Sequence, residues 1–295
     1  MATGITPLTF SEQPYITAAE YKNAPTALQV SNLVVGGNEA AQNAELSAVI
    51  MRASSFMDEY LNQNLNASQV VETQRVRMTP QGYISLHPNN NPIVALVSFQ
   101  YGTDPNNLVT LQDPSTAWFE NAQVIIPLSQ LSLTYSSQGP LAFGGGASPF
   151  TQLFTKYTYV AGFANTVMSP ANAGDTSIIV MDGAGFVAGQ KYKIIEGAKT
   201  EMITVDSSYV FGSNTIPLTT PLGFAHFAGA TVSNMPAVIK EACILITSAL
   251  LKVRGDGATM MSITQRPIGQ VVGSDLYGSN IKLALDMIDK YRRVR

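Results

Sequence analysis

A glycine-rich run, Gly183-Ala184-Gly185-Phe186-Val187-Ala188, has the spacing of a dinucleotide-binding loop. In such a loop the glycines open a helix, and the amino end of that helix meets the pyrophosphate. Here the alternating segment 191–195 follows, which is typical of a strand and leaves no helix to hold the phosphates. The run is therefore interpreted as a glycine turn between strands. A nucleotide-dependent enzyme is kept only as a third hypothesis for the function.

The remaining reactive residue types are few, with two histidines and one cysteine in the chain. Neither His87 nor His226 has a partner at the spacing of a zinc ligand set. Cys243 lies in an apolar segment with helical spacing, where a cysteine is usually a small core residue. No Gly-x-Ser-x-Gly elbow is present. The sequence thus predicts a protein that is not an enzyme and has no catalytic residues, no metal ligands and no cofactor.

The carboxyl end of the chain is basic. Residues 236–295 hold a net charge of +4, whereas the rest of the chain holds −7. The last cations are Lys290, Arg292, Arg293 and Arg295. They have two interpretations: a helix end that complements the helix dipole, or a docking segment for an acidic partner. One exposed ion pair contributes only ~0.2–1 kcal/mol, so docking would require several copies acting together.

Composition limits the class of protein. Of the 295 residues, 45% are hydrophobic and only 13% are charged, and the net charge is −3. This excludes a charge-rich disordered chain and gives the whole protein no attraction for nucleic acid. No secretory signal is expected, and the longest apolar stretch, 242–251, is too short for a bilayer, which needs about twenty residues. We expect a protein without membrane contact that is made in a reducing compartment, with much of its surface covered by neighbouring subunits.

The hydrophobic periodicity predicts the elements that position these residues. Helical spacing indicates a long amphipathic helix at 39–64, a central helix at 236–254 and a C-terminal helix at 279–294. Thr17-Ala18-Ala19-Glu20 has the pattern of a capping box for a short first helix. Short strand patterns occupy 70–162, and 166–233 reads as a small all-β insertion. The predicted domains are therefore 1–165 with 234–295, and 166–233.

The segment 136–150 contains four glycines and two prolines and is predicted to be a loop. A loop of this length in a compact domain is usually functional or mobile. Its notable residues are Phe143, Gly144, Gly145, Gly146 and Phe150.

Three segments, in order along the chain, resemble the head–tail connector (adaptor) proteins of long-tailed double-stranded DNA bacteriophages. These are 16–22 with the helix end 57–61; 83–86 with 91–101; and 159–163 with 236–243. In that family a Tyr-x-x-Gly-[Tyr/Phe] run, here 159–163, is followed closely by a proline and a helix. Here residues 164–235 intervene, which supports the interpretation of an insertion.

The resemblance implies a structural subunit of the phage neck. Its fold would be α+β, with a helical connector core, a small β-sheet or hairpin region and an inserted all-β domain. Copies would form a homo-oligomeric ring, typically dodecameric, beneath the portal protein. The ring would extend the channel for double-stranded DNA, without sequence-specific binding, and would carry the next neck or tail protein. The chain would be made in the host cytoplasm and end at the head–tail interface of the virion.

The resemblance also implies roles for the two segments singled out above. The basic end would dock on the portal through Lys290, Arg292, Arg293 and Arg295. The loop that contains Phe143, Gly144, Gly145, Gly146 and Phe150 would be an inter-subunit strap or a tail-side contact. Because dense cations would trap DNA by counterion release, we expect a sparse, polar or acidic lining of the bore.

An alternative function is a tail or capsid-decoration protein whose β insertion binds a host glycan or a capsid partner. Exposed aromatic side chains in the insertion would favour it, although such residues are more often core. The residues concerned are Tyr192, Tyr209, Phe211, Phe224 and Phe227.

Overall fold

The structure is a computed structural model that describes residues 13–31, 33–77, 79, 83–111, 113–120, 122–127, 152–254 and 278–293. Contacts divide these residues into two compact units. The β unit comprises the described residues of Ala67–Gly162, and the mixed unit comprises those of Leu8–Asn66 and Phe163–Arg295. The predicted boundaries at 165/166 and 233/234 fall inside the mixed unit, and that division of the chain stays a prediction.

Seven strands lie among the described residues of the β unit. They are β1 (Ser68–Arg77), β2 (Tyr83–Leu86), β3 (Ile93–Asp104), β4 (Asn107–Thr110), β5 (Trp118–Glu120), β6 (Gln123–Pro127) and β7 (Gln152–Ala161). They form two antiparallel sheets, ordered β1-β7-β3-β4 and β2-β6-β5. Burial alternates along β1 and β7, so each strand turns one face to a core shared by the two sheets.

A buried carboxylate organises this core. Glu72 of β1 is 3% exposed. Its Oε1 accepts a hydrogen bond from the Tyr159 hydroxyl at 2.6 Å, and its Oε2 accepts one from the Tyr157 hydroxyl at 3.0 Å. The backbone N–H of Asn89 donates to both oxygens at 3.1 and 3.2 Å. The carboxylate is thus satisfied by groups from β7 and from the segment before β3, as a buried charge requires.

Four α-helices lie among the described residues of the mixed unit. They are α1 (Ala18–Asn23), α2 (Glu39–Leu61), α3 (Ala237–Arg254) and α4 (Gly278–Ile288), and the 3₁₀ turn Asp289–Tyr291 follows α4. The predicted capping box is confirmed, because the Thr17 hydroxyl accepts from the Glu20 N–H and the Glu20 carboxylate accepts from the Thr17 N–H. The three longer helices match the predicted segments to within three residues at most ends, and α4 ends earlier than predicted.

The helices pack around one apolar core. Leu46, Ile50 and Met57 recur at helical spacing on α2 and are fully buried against Ile239 and Cys243 of α3. Truncating such a residue removes apolar contacts and leaves a cavity, at a cost of about 2–5 kcal/mol.

Six strands of the mixed unit form the β module, defined here as residues 165–233. They are β8 (Asn165–Val167), β9 (Ser177–Ile179), β10 (Lys191–Ile195), β11 (Glu201–Thr204), β12 (Thr215–Pro217) and β13 (Thr231–Ser233). They form two antiparallel sheets, ordered β11-β10-β13-β8 and β12-β9. The first strand, β8, pairs with the last, β13, through Asn165 opposite Ser233. The chain therefore enters and leaves the β module on neighbouring strands.

The predicted fold class, α+β with a helical connector core, is wrong. The described residues form mostly β-strands in four antiparallel sheets with four α-helices. The prediction treated the strands of 68–161 as a small sheet or hairpin beside a helical core, and it therefore underestimated their role. They build a two-sheet structure with its own buried core.

The Glu72 network predicts how a single hydroxyl affects stability. Burial, and then the hydrogen bond to Glu72, raise the pKa of Tyr159 well above its usual value of 10.0, so the phenol remains a donor. We expect Tyr159→Phe to lower the free energy of unfolding by about 1–3 kcal/mol, because Glu72 loses a donor. The control Tyr83→Phe, at a more exposed position, should change it by less than about 0.5 kcal/mol. Equal losses in urea titrations of the two variants would contradict the role of Glu72.

Candidate functional site

An ion pair between Glu20 of α1 and Lys240 of α3 joins both helices to the β module. Lys240 Nζ lies 2.6 Å from Glu20 Oε1, and the two side chains are 12% and 8% exposed. The Thr231 hydroxyl of β13 donates to Glu20 Oε2 at 3.2 Å, and Lys240 Nζ lies 3.5 Å from Asn165 Oδ1 of β8. Removing one partner of such a pair would leave a buried charge uncompensated. These residues therefore fix α1, α3 and the end strands of the module together.

The Asn165 side chain extends this network to the chain segments that flank α1 and α2. Its Nδ2 donates to the carbonyl oxygens of Pro14 and Tyr15 at 2.9 and 3.2 Å, and to Asn66 Oδ1 at 3.1 Å. Asn66 Nδ2 in turn donates to the carbonyl oxygen of Gln13 at 2.7 Å. One side chain in the first strand of the module thus satisfies two backbone carbonyl groups before α1 and a side-chain oxygen after α2.

A second polar cluster lies inside the β module, where His226 sits between two carboxylates. Its ring is fully buried, with Nδ1 2.8 Å from Glu196 Oε2 and Nε2 2.7 Å from Glu201 Oε1. Both nitrogens can donate only in the imidazolium form. The two glutamates flank the 3₁₀ turn Gly197–Lys199, which connects β10 to β11. The His226 ring therefore bridges the two carboxylates that this turn brings together.

Backbone groups complete the cluster. The N–H groups of Gly223 and Phe224 donate to Glu201 at 2.9 and 3.1 Å, and that of Phe227 donates to Glu196 at 3.2 Å. The loop between β12 and β13 is thus fastened to the turn between β10 and β11 by charge-assisted hydrogen bonds, which are stronger than neutral ones.

These contacts shift the acidity of both glutamates. Burial raises the pKa of Glu196, but the hydrogen bonds from His226, the backbone and Lys199 lower it more, so it lies below 4.5. Burial likewise raises the pKa of Glu201, and backbone N–H groups and His226 lower it below 4.5. Both carboxylates are held ionised, which suits a structural clasp.

A cavity of about 370 Å³ separates α1 and α3 from the end of β10. Its wall is mainly apolar and includes Ile16, Ala19, Ala24, Ile195, Phe227 and Ile244. The charged groups at its edge, Glu20, Lys240 and Glu196, already have the partners described above. The cavity can accept an apolar group, and its charged groups are engaged in structural contacts.

The remaining candidates for chemistry are accounted for by packing. Cys243 is fully buried, and burial raises the pKa of its thiol to about 12, so it is not a nucleophile at neutral pH. Within the part of the chain that the structure describes, no three His, Cys, Asp or Glu side chains are grouped to hold a metal ion. Among the described ranges, no helix has the length and apolar character to cross a bilayer.

The glycine run forms turns and is followed by β10, as predicted. A Cβ placed on Gly183 would lie 2.2 Å from the carbonyl oxygen of Ser213, so this glycine serves the close approach of two backbone segments. The Tyr192 hydroxyl donates to the carbonyl oxygen of Gly185 at 3.0 Å and accepts from the Val187 N–H at 2.9 Å, so β10 holds the glycine turn in place.

The described part of the predicted docking segment is fastened to the end of α2. The N–H of Arg293 donates to the carbonyl oxygen of Leu61 at 2.9 Å, and Gln63 Nε2 donates to that of Tyr291 at 2.5 Å. This backbone attachment fixes the position from which the basic side chains project.

The side chains of Lys290 and Arg292 lie over aromatic rings. Lys290 Nζ is 4.8 Å from the ring centroid of Tyr291, and the Arg292 guanidinium is 5.0 Å from that of Tyr60. Arg292 also lies 4.0 Å from Asp289, with about half of its side chain exposed. Arg295 lies outside the described residues, as does the predicted contact loop with Phe143, Gly144, Gly145, Gly146 and Phe150.

Of the five aromatic residues singled out in the predicted insertion, Tyr192 and Tyr209 are core residues, whereas Phe211, Phe224 and Phe227 are exposed. Sequence reasoning missed the His226 cluster, because its two carboxylates lie 30 and 25 residues before the histidine in the chain.

Comparison with protein-family models, with curated proteins and with solved structures finds no match to this chain.

The clasp around His226 predicts an acid-sensitive stability. A carboxyl whose pKa is lowered on folding stabilises the fold above its unfolded pKa, and this contribution is lost as pH falls through the folded pKa. For Glu196 and Glu201 the loss should occur below about pH 4.5. We expect His226→Gln to lower the free energy of unfolding at pH 7 by about 1–3 kcal/mol and to reduce its further fall between pH 5 and pH 3.

The matched control is His87→Gln, since His87 is the other histidine and is exposed. It should leave both the stability at pH 7 and its acid dependence unchanged. Thermal melts of the two variants over the same pH series would contradict the clasp if their profiles coincided.

Proposed function

We propose that this chain is a ring-forming head–tail connector subunit of a long-tailed double-stranded DNA bacteriophage. Copies form a ring, expected to be dodecameric, beneath the portal protein. The ring extends the DNA channel and provides the attachment platform for the next neck or tail protein. The proposal does not depend on a helical core, and it rests on the resembling segments and on how they pack.

The main support for the proposal is that the first and third resembling segments, which are far apart in the chain, pack in one core. Tyr21, from the first segment, places its hydroxyl 2.8 Å from Ser248 Oγ of α3. Met57 and Leu61, at the end of the first segment, are buried with Ile239 and Cys243 of the third. The resembling residues of the mixed unit are therefore a structural unit and not scattered matches.

The position of the β module supports the same interpretation. Because β8 and β13 are adjacent antiparallel strands, the module adds its residues without separating the segments before and after it. The Asn234 N–H donates to the carbonyl oxygen of Ala164 at 3.2 Å, so the residues just before β8 lie beside the start of α3. This is consistent with the short connection of the family pattern.

Exposed apolar side chains in both units fit a subunit whose surfaces are covered by neighbours. In the β unit they include Val71, Val97, Trp118 and Phe119. In a ring such side chains would be buried in interfaces between copies.

The alternative, a tail or capsid-decoration protein, is favoured by the exposed Phe211, Phe224 and Phe227 of the β module. A glycan array probed with the full chain separates the two functions, because a connector subunit has no reason to bind a host glycan.

The location of the chain in the particle tests the proposal. Virions that contain this protein would be labelled with an antibody against the chain and imaged by electron microscopy. We expect the label at the head–tail junction, on a ring around the channel axis. Label spread over the capsid surface or at the tail tip would contradict a connector.

The basic end provides a second test. Neutralising two exposed cations in K290Q/R292Q should weaken binding to portal particles about tenfold or more at low salt, because small losses per contact multiply over a ring. The matched control is K252Q/K282Q, which removes the same charge from exposed positions on α3 and α4. Equal binding of both variants in a co-sedimentation assay would exclude portal docking by this segment.

A further inference from the structure

One end of the β module exposes four large apolar side chains. Ile179 is the last residue of β9, and Met181 follows it by two residues, just after Val180, which forms an isolated bridge. Ile179 and Met181 are 56% and 67% exposed, and in the turn before β12 Val210 and Phe211 are 72% and 42% exposed. This degree of exposure is unusual for large hydrophobic residues that are close together.

The two segments that carry these side chains are held side by side. The Val180 N–H donates to the carbonyl oxygen of Asn214 at 2.9 Å, and Asn214 Nδ2 donates to that of Met181 at 3.3 Å. The Tyr209 hydroxyl donates to the carbonyl oxygen of Gly183 at 2.9 Å. We therefore treat Ile179, Met181, Val210 and Phe211 as one surface, the apolar tip.

The two segments that carry the apolar tip have only acidic residues as charged groups. Residues 171–190 and 204–222 contain Asp175, Asp182 and Asp206 but no lysine or arginine. Asp182 and Asp206 are fixed in place, because each accepts a hydrogen bond from a backbone N–H two residues further on. Anionic lipid and nucleic acid would be repelled by this surface. A partner that combines apolar groups with cations would fit it.

The β unit carries a surface of the complementary kind. In the pairing of β1 with β7, Arg75 lies opposite Phe154, and Lys156 lies opposite Thr73. Because Thr73 and Arg75 are two residues apart on β1, Arg75, Phe154 and Lys156 share one face of the sheet. Glu72 lies on the other face. Val71, 49% exposed, and Arg77 lie on the same face as Arg75. The Arg75 guanidinium lies 4.7 Å from the Phe154 ring centroid. We call Val71, Arg75, Arg77, Phe154 and Lys156 the basic face.

Within the described part of the chain, the cations of the basic face form no ion pair. Among the described residues no carboxylate lies within ion-pair distance of Arg75, Arg77 or Lys156. The outward positions of β1 and β7 include no acidic residue. Left exposed in a DNA channel, these cations would hold the nucleic acid by counterion release. A contact that covers them removes this difficulty.

From this complementarity we infer that the apolar tip of one copy docks on the basic face of a second copy. The contact joins two separate molecules. Since the two surfaces differ, the contact is heterologous, and a heterologous contact forms a ring when its repeated rotation closes. The inference rests on the proposed function, and it names the surfaces through which neighbouring subunits of that ring recognise each other.

Disulfide cross-linking tests the contact directly. The native Cys243 is the chain's one cysteine and is fully buried, so it does not interfere. Full-length V71C and V210C proteins would be mixed and oxidised, and a mixed disulfide dimer is expected that neither protein gives alone. In the control, V71C is mixed with V35C instead of V210C. Val35 is more exposed than Val210 but lies outside the apolar tip. Unchanged melting temperatures verify that each variant is folded.

Charge reversal supplies the second arm. R75E/K156E, introduced into V71C, should reduce the yield of the mixed dimer at least tenfold, whereas the charge-matched K252E/K282E should change it less than twofold. This contact is overturned if the mixed dimer forms no better with V71C and V210C than with V71C and V35C, or if R75E/K156E does not reduce its yield.

The antibody label separates this outcome from the proposed function. If the label still marks a ring at the head–tail junction, the proposed function stands without this contact. If copies cross-link as expected but the label lies elsewhere, the contact stands and the neck function fails.

Discussion

The pairing of β8 with β13 is the constraint on which the rest of the mixed unit depends. Three residue pairs, from Asn165 opposite Ser233 to Val167 opposite Thr231, bring the two ends of the β module to the spacing of neighbouring strands. The segment that leaves the β unit can therefore continue into α3 as though the chain were not interrupted. Without this pairing, α3 would not reach its place against α1 and α2.

Polar residues then lock this arrangement. Asn165 and Thr231 sit on the paired strands, and through them Glu20 and Lys240 connect the module to the helices. The β unit follows the same principle with Glu72 and its two tyrosines. In each case a charge that would be costly to bury is satisfied by groups from several elements. Such residues specify one arrangement of the elements, whereas the apolar cores supply most of the stability.

Local signals in the sequence predicted the elements well. The period of the apolar residues placed α2 and α3, the capping box placed the start of α1, and turn residues separated the strands. The fold class was wrong because local patterns do not show which strands pair. The pairing of Ser68 with Ala161 joins positions far apart in the chain, and nothing near either one indicates it. A sheet order that depends on such pairings emerges only when the whole chain is folded.

The candidate site shows the same limit. Cys243 was correctly assigned to the core, because its neighbours along the helix are apolar. The role of His226 was missed, since its two carboxylates come from a different turn of the module and are brought to it by the β10–β11 connection. The exposure of the apolar tip could not be predicted either. In the sequence, Ile179 and Met181 have the pattern of ordinary strand residues, and the sequence does not show which side of a strand faces solvent.

The two ends of the β module lie on adjacent strands, and this affects how the gene can change in evolution. A segment attached to its host at a single narrow point can be gained, exchanged or deleted in one recombination event, while the helices around it keep their packing. Related proteins that share the three-segment pattern can therefore differ here in size and in surface chemistry. In such a lineage the cassette between Ala164 and Asn234 is where diversification would concentrate, and the helices on either side are where it would be resisted.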